Sequence, residues 1–154
     1  MDQVIADEKL DITLVDRGLF DLEALGEFDT VLFLGLIYHF RNPQYALDSL
    51  SVLTKEHLFV SSQTIAGDDL TMVNRRSESQ LGRKTSRHTA LKGWHPTRPL
   101  LVRMIEWAGF RNVLPLSNPD INYPDKPKFH TNSAYYRAIK DHNVDRDAAN
   151  RIFL

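Results

Sequence analysis

Residues 28–43 read FDTVLFLGLIYHFRNP, and this stretch decides the fold class. Phe28-Asp29-Thr30 leads into the unbroken apolar run Val31–Leu34, and Gly35 closes it. A run that is apolar at every position has two greasy faces. It predicts a strand covered on both sides, as in a parallel sheet. Its length and the glycine stop favour a strand over a buried helix segment. Asn42-Pro43 then opens a helix, since Asn caps well and Pro suits the first turn. Tyr45, Leu47, Leu50 and Leu53 are its expected apolar face. Lys55–Ser62 follows as a second strand around Leu58, Phe59 and Val60. Strand, helix, strand with both strands buried is a βαβ unit, which implies a parallel sheet.

Outward from this unit the pattern continues. On the N-terminal side, Leu10, Ile12 and Leu14 alternate with Asp11 and Thr13, so Leu10–Val15 is expected to be a short strand. Asp16-Arg17-Gly18 breaks it, and Leu19–Leu25 carries helix-like spacing over a very short span. On the C-terminal side, Gln63–Thr97 is polar and lacks sustained periodicity, which suggests a long functional loop or lid, with room for a short helix. Thr97–Ala108 is a helix with Leu100, Leu101, Met104, Ile105 and Ala108 on one side, stopped at Gly109. Phe110–Leu116 is a strand, with Pro115 marking its end or a sheet edge. The prolines of Ser117–Lys128 predict a loop, Ser133–Ile139 a last strand, and Asp145–Phe153 a short tail helix.

At 154 residues the chain fits one domain, and its 42% apolar content fits a globular one. The longest apolar run, residues 31–38, is far short of the roughly 20 residues a bilayer requires. Met1–Leu10 is acidic and polar, unlike a secretory signal. The absence of cysteine excludes disulfides, thiolate metal sites and cysteine nucleophiles, and fits a cytoplasmic protein. The net charge of −1 is unevenly spread. Residues 1–30 hold nine acidic side chains against Lys9 and Arg17. Residues 74–95 hold Arg75, Arg76, Arg83, Lys84, Arg87 and Lys92 against Glu78. Such runs are usually solvated faces; the alternative is a basic loop facing an anionic substrate, nucleic acid included.

Four stretches in order give the chain a family resemblance. Phe28–Pro43 resembles the fourth-strand segment of class I methyltransferases that use S-adenosylmethionine (SAM), with Phe28-Asp29 entering the strand and Gly35-Leu36-Ile37-Tyr38-His39 leaving it. Leu58–Asp68 resembles their fifth strand and its following Gly-Asp turn. Trp94-His95-Pro96-Thr97 with Leu100–Phe110 resembles their next helix, and Ala134–Ala138 their final antiparallel strand. Within the superfamily the chain is most similar to the wobble-uridine tRNA carboxymethyltransferase group. The resemblance covers Leu10–Lys140. It implies that residues 10–140 are the C-terminal portion of a methyltransferase domain, with 63–97 a basic loop or lid and 141–154 a tail. The implied fold is α/β: a partial Rossmann-like sheet, mostly parallel with a C-terminal antiparallel strand, its N-terminal strands missing. The family holds the cofactor on a Gly-rich turn after its first strand and binds the ribose with a carboxylate after its second. No Gly-x-Gly occurs here. The chain is thus expected to be a fragment, a subunit completed by a second chain, or a degenerate protein.

The resemblance places Leu34, Gly35, Leu36, Tyr38 and His39 beside the methionine part of SAM. Strand position points the same way, because α/β sheets bind ligands at the carboxyl ends of strands; the alternative is that Tyr38 and His39 only begin a helix and pack. Asp21 and Leu22 fall where the family binds adenine, with an ordinary helix cap as the alternative. His57, His88, His95, His130 and His142 lack ligand spacing, so no metal is expected. Ser61-Ser62 lacks a Gly-x-Ser-x-Gly elbow, so no hydrolase triad is expected. The implied activity is SAM-dependent methyl transfer, to RNA or a small molecule, with SAM binding weak or absent until the N-terminal half is supplied. The alternatives are a non-catalytic interaction module that keeps part of the fold, and an unrelated open α/β domain. An unpaired sheet edge is expected to favour self-association or a partner chain.

Overall fold

The computed structural model describes residues 11–75, 93–116 and 132–143. Strand β1 (Phe28–Leu34) and strand β2 (Thr54–Thr64) pair in parallel, with Val31 opposite Leu58 and Phe33 opposite Val60. Helix α1 (Pro43–Leu53) crosses between them. The Asn42 side chain accepts the Tyr45 N–H at 3.1 Å, as expected of a cap. Ala46, Leu47, Leu50 and Leu53 face the sheet, whereas Tyr45 is 54% exposed rather than part of the apolar face. The helix ends where Thr54, a β-branched residue, turns extended, its hydroxyl donating to the Leu50 carbonyl at 2.7 Å.

Helix α2 (Arg98–Trp107) is capped by the Thr97 hydroxyl and buries Leu100, Leu101, Met104 and Ile105. Gly109 takes φ +88°, the left-handed turn that glycine adopts freely, and releases the chain into β5 (Phe110–Pro115). Strand β6 (Asn132–Lys140) returns between β2 and β5, antiparallel to both. The sheet order is β1-β2-β6-β5, with β1, β2 and β5 sharing one direction. Pro115 does sit on an edge strand.

Three expectations need correction. The described part of Leu10–Val15 is not a strand, and Ile12, Leu14 and Val15 are 43–50% exposed. A strand needs a neighbour to take its backbone hydrogen bonds, and β1 pairs only with β2 among the described residues. Second, β1 is not covered on both faces. Phe33 is buried at 5% exposure, but Leu32 is 65% and Leu34 50% exposed. Continuous apolar character shows that both faces suit burial, not that both are covered. The covered face carries Phe33, Leu58, Val60, Ala134, Tyr136 and Ala138 against the two helices. Third, the described residues of 63–97 are not merely loop; they hold a second small sheet, in which β3 (Met72–Arg75) and β4 (Gly93–Pro96) pair antiparallel, while the remainder of the span, where a short helix has room, lies outside the described residues. The span Leu19–Leu25 forms two 3-10 turns, Leu19–Asp21 and Glu23–Leu25. The expected loop from Ser117, the tail helix from Asp145, and Arg76, Arg83, Lys84, Arg87 and Lys92 lie outside the described residues.

Candidate functional site at the end of strand β1

The end of β1 is built around a glycine. Gly35 takes φ +71°, and a Cβ added there would meet nothing within 4 Å. Its N–H donates to the Ser61 hydroxyl at 2.8 Å and to the Ser61 carbonyl at 3.2 Å, which ties the turn to β2. Ser61 thus holds the turn, a positional role that the search for a nucleophile elbow does not reveal. Beyond Gly35 a 3-10 turn, Ile37–His39, is closed by the His39 N–H donating to the Leu36 carbonyl at 2.9 Å. Ile37 is 1% exposed and plugs the core, while Leu34 and Leu36 stay about half exposed and His39 exposed. The five residues 34, 35, 36, 38 and 39 are therefore together on one turn at the carboxyl end of a parallel strand.

Asp21 and Leu22 come to the neighbouring position through an aromatic bridge. Phe20 stacks on Tyr45 (centroids 4.8 Å, 28°) and meets Phe40 edge-on at 5.9 Å; Phe40 in turn packs on Phe33 at 5.7 Å. Asp21 ends the Leu19–Asp21 turn with its side chain exposed, and the N-cap of that turn is Gly18, so Asp21 is not a cap.

The small β3–β4 sheet packs onto the Tyr38 end of the turn. The Tyr38 ring stacks on His95 (5.4 Å, 25°), a residue with no solvent exposure, and lies 4.2 Å from the His39 ring. Gly93 comes so close that an added Cβ would stand 1.9 Å from the Tyr38 carbonyl oxygen. The sheet is anchored below: the Thr97 N–H donates to the Thr71 carbonyl at 2.8 Å and the Ile65 N–H to the Pro96 carbonyl at 3.0 Å. Between turn and sheet runs a cleft of about 390 Å³ lined by His39, Phe40, Arg41, Asn74, Gly93 and Trp94. Of these only His39 was legible as a site residue. Arg41 follows two positions after His39, and Asn74 and Trp94 join through the β3–β4 register, where they stand opposite each other; residues that far along the chain from His39 carry no periodic signal. Arg75 ends β3 beside this cleft, its partner being Gly93. No three His, Asp or Glu side chains converge among the described residues, and no helix there is long and apolar enough to cross a membrane.

No family model matches the chain. It is 31% identical over 105 residues to the tRNA U34 carboxymethyltransferase of Mannheimia succiniciproducens, a match covering 65% of this chain and 30% of that protein. Among solved structures, the N-terminal domain of EvdMO1 with S-adenosylhomocysteine (SAH) bound superposes with a TM-score of 0.63 at 19% identity, over 90% of this chain and 58% of that one. The 1,6-didemethyltoxoflavin-N1-methyltransferase of Burkholderia thailandensis gives 0.58 at 14% identity, over 91% and 56%. The SAH-bound magnesium protoporphyrin IX methyltransferase of Synechocystis PCC 6803 gives 0.53 at 16%, over 90% and 57%. The chain thus spans less than two thirds of each of these structures and under a third of its sequence relative. In fold the sheet is Rossmann-like, as in these methyltransferases, and in sequence the chain is similar to a tRNA U34 carboxymethyltransferase.

Proposed function

We propose that the chain carries one side of the cofactor site of a SAM-dependent methyltransferase, the other side being supplied by an N-terminal half, in the same chain or a second one. The observation that carries this reading is the Gly35 turn. It stands at the carboxyl end of β1 with open space where a side chain would be, flanked by half-exposed Leu34 and Leu36. A backbone bare at that point lets a ligand approach closely, and the apolar flanks suit the methylene groups beside the cofactor's sulfur. The turn therefore fits the methionine part of the cofactor, held by Leu34–His39, with Asp21 and Leu22 toward the adenine. When bound, the cofactor supplies a methyl group already activated on sulfur. What the protein adds is alignment rather than acid–base chemistry. His39 belongs both to the turn and to the cleft with Arg41, Asn74 and Trp94, which supports that cleft as the side from which the methyl acceptor approaches.

The edge of β1, unpaired among the described residues, and its exposed Leu32 and Leu34 support the need for a second half. The turn alone offers a few hydrogen bonds, each worth about 0.5–1.5 kcal/mol net, against the roughly 8 kcal/mol of a micromolar complex. Titration calorimetry of the isolated chain with SAH tests this. The expected dissociation constant is weaker than micromolar. A micromolar or tighter complex would put a whole site in this chain and overturn the division.

A further inference from the structure

The side of the main sheet away from the two helices is apolar with one charge in its middle. Leu32, Phe59, Arg137 and Leu114 form a row across all four strands, with Leu34 and Tyr135 in the row beside it. Leu32, Leu34, Leu114 and Tyr135 are exposed, and neither row holds a carboxylate. Arg137 is half-buried, and its Nε is cut off from solvent with no hydrogen-bond partner among the described residues. His57, diagonal to Arg137 in register, has its Nδ1 in the same condition. A buried polar atom left without a partner is costly, more so when it is charged. What covers this face must therefore be apolar and must bring an anion to Arg137.

The chain carries such a surface itself. Residues 11–17 are exposed throughout, with Ile12 and Leu14 half exposed, and Asp16 enters no ion pair among the described residues. In an extended chain Ile12, Leu14 and Asp16 point to one side at successive steps of about 6.6 Å. Neighbours in a sheet row stand about 4.8 Å apart, so the three, laid obliquely, reach from Leu32 over Phe59 to Arg137. We propose that a second copy of the chain covers the bare face, its Ile12 and Leu14 on Leu32 and Phe59 and its Asp16 carboxylate accepting from the Arg137 guanidinium. A charge-assisted pair of this kind sets the register of an otherwise slippery apolar contact. The contact joins two different surfaces, so a pair closes when each copy lends its segment to the other. The proposal does not rest on the cofactor reading, and an N-terminal half added on this side would displace the second copy.

The absence of cysteine from the chain makes the test direct. Copies carrying Ile12→Cys are mixed with isotopically heavy copies carrying Leu32→Cys and oxidised mildly, and the mixed disulfide is identified by mass. The control partner carries Val52→Cys, exposed on α1 at the opposite side of the sheet. The mixed disulfide with Leu32→Cys should form at least ten times faster than that with Val52→Cys. In sedimentation velocity Asp16→Lys, a change in an exposed segment that leaves the core alone, should weaken self-association about tenfold, as loss of a charge-assisted bond would. Combining it with Arg137→Glu should restore part of that loss. Equal disulfide rates for the two partners, self-association unchanged by Asp16→Lys, or a monomer at every concentration would each overturn the assignment; if Arg137→Glu does not fold, the disulfide rates and Asp16→Lys still decide it.

Discussion

Gly35 and Gly93 both have positive φ, and the two stand in opposite surroundings. At Gly35 a methyl group meets open space, so Gly35→Ala should cost only the left-handed backbone strain, about 1 kcal/mol. At Gly93 the methyl would run into the Tyr38 carbonyl, and backbone must move. Gly93→Ala should cost about 3 kcal/mol and loosen the β3–β4 sheet from the turn. Urea unfolding of the two variants ranks them; equal losses would contradict the packing described. Gly35 was legible because it ends an apolar run. Gly93 was not, because its partner Tyr38 is 55 positions away and only the folded chain brings them together. Tyr136 gives a pH signature. Burial raises its phenol above the ordinary value near 10. The unfolded state therefore loses that proton first. The stabilisation is complete below about pH 10 and lost as pH rises through the folded value. Tyr136→Phe should flatten this alkaline fall in stability, measured by thermal unfolding across pH; an unchanged fall would assign it to other groups.

Among the elements, α1, α2 and the strands around them could be read from sequence because each carries local punctuation: a cap, a proline in the first turn, a glycine after the last. The two caps differ in reach. Asn42 accepts one N–H, that of Tyr45. Thr97 is 1% exposed; its hydroxyl accepts from the Leu100 and Thr71 N–H groups and donates to the Asp69 carbonyl. Asn42→Ala should therefore cost about 1 kcal/mol, and Thr97→Ala roughly twice that, because buried partners are left unsatisfied. Denaturant midpoints test the order, and a smaller loss at Thr97 would contradict it. The β3–β4 pair escaped reading for the same reason that Thr97 matters. Its strands are four residues each, too short to show a period of their own, and are tied by hydrogen bonds to distant backbone. Leu10–Val15 failed in the other direction: alternation was present, but no strand among the described residues stands beside its described part.

At the scale of the whole molecule the sheet has one dressed and one bare face. Leu32, Phe59, Arg137 and Leu114 stand in register across all four strands on the side away from the core. Leu32 and Leu114 are 65% and 49% exposed. Parallel sheets are normally covered on both faces, and an apolar edge strand recruits neighbours. The isolated chain should therefore self-associate with rising concentration in sedimentation velocity, and Leu32→Lys should shift it toward monomer. A monomer at all concentrations would contradict this. On the proposed reading the other half of the cofactor site adds at this open side, and the share given to the β1 turn has a direct test. The isotopically labelled chain is titrated with SAH into the millimolar range and its amides followed by NMR. The account predicts weak, fast-exchange shifts concentrated at Gly35, Leu36, Tyr38 and His39, with Asp21 and Leu22 moving less. Shifts centred elsewhere, or none at millimolar ligand, would contradict the assignment of the β1 turn to the cofactor.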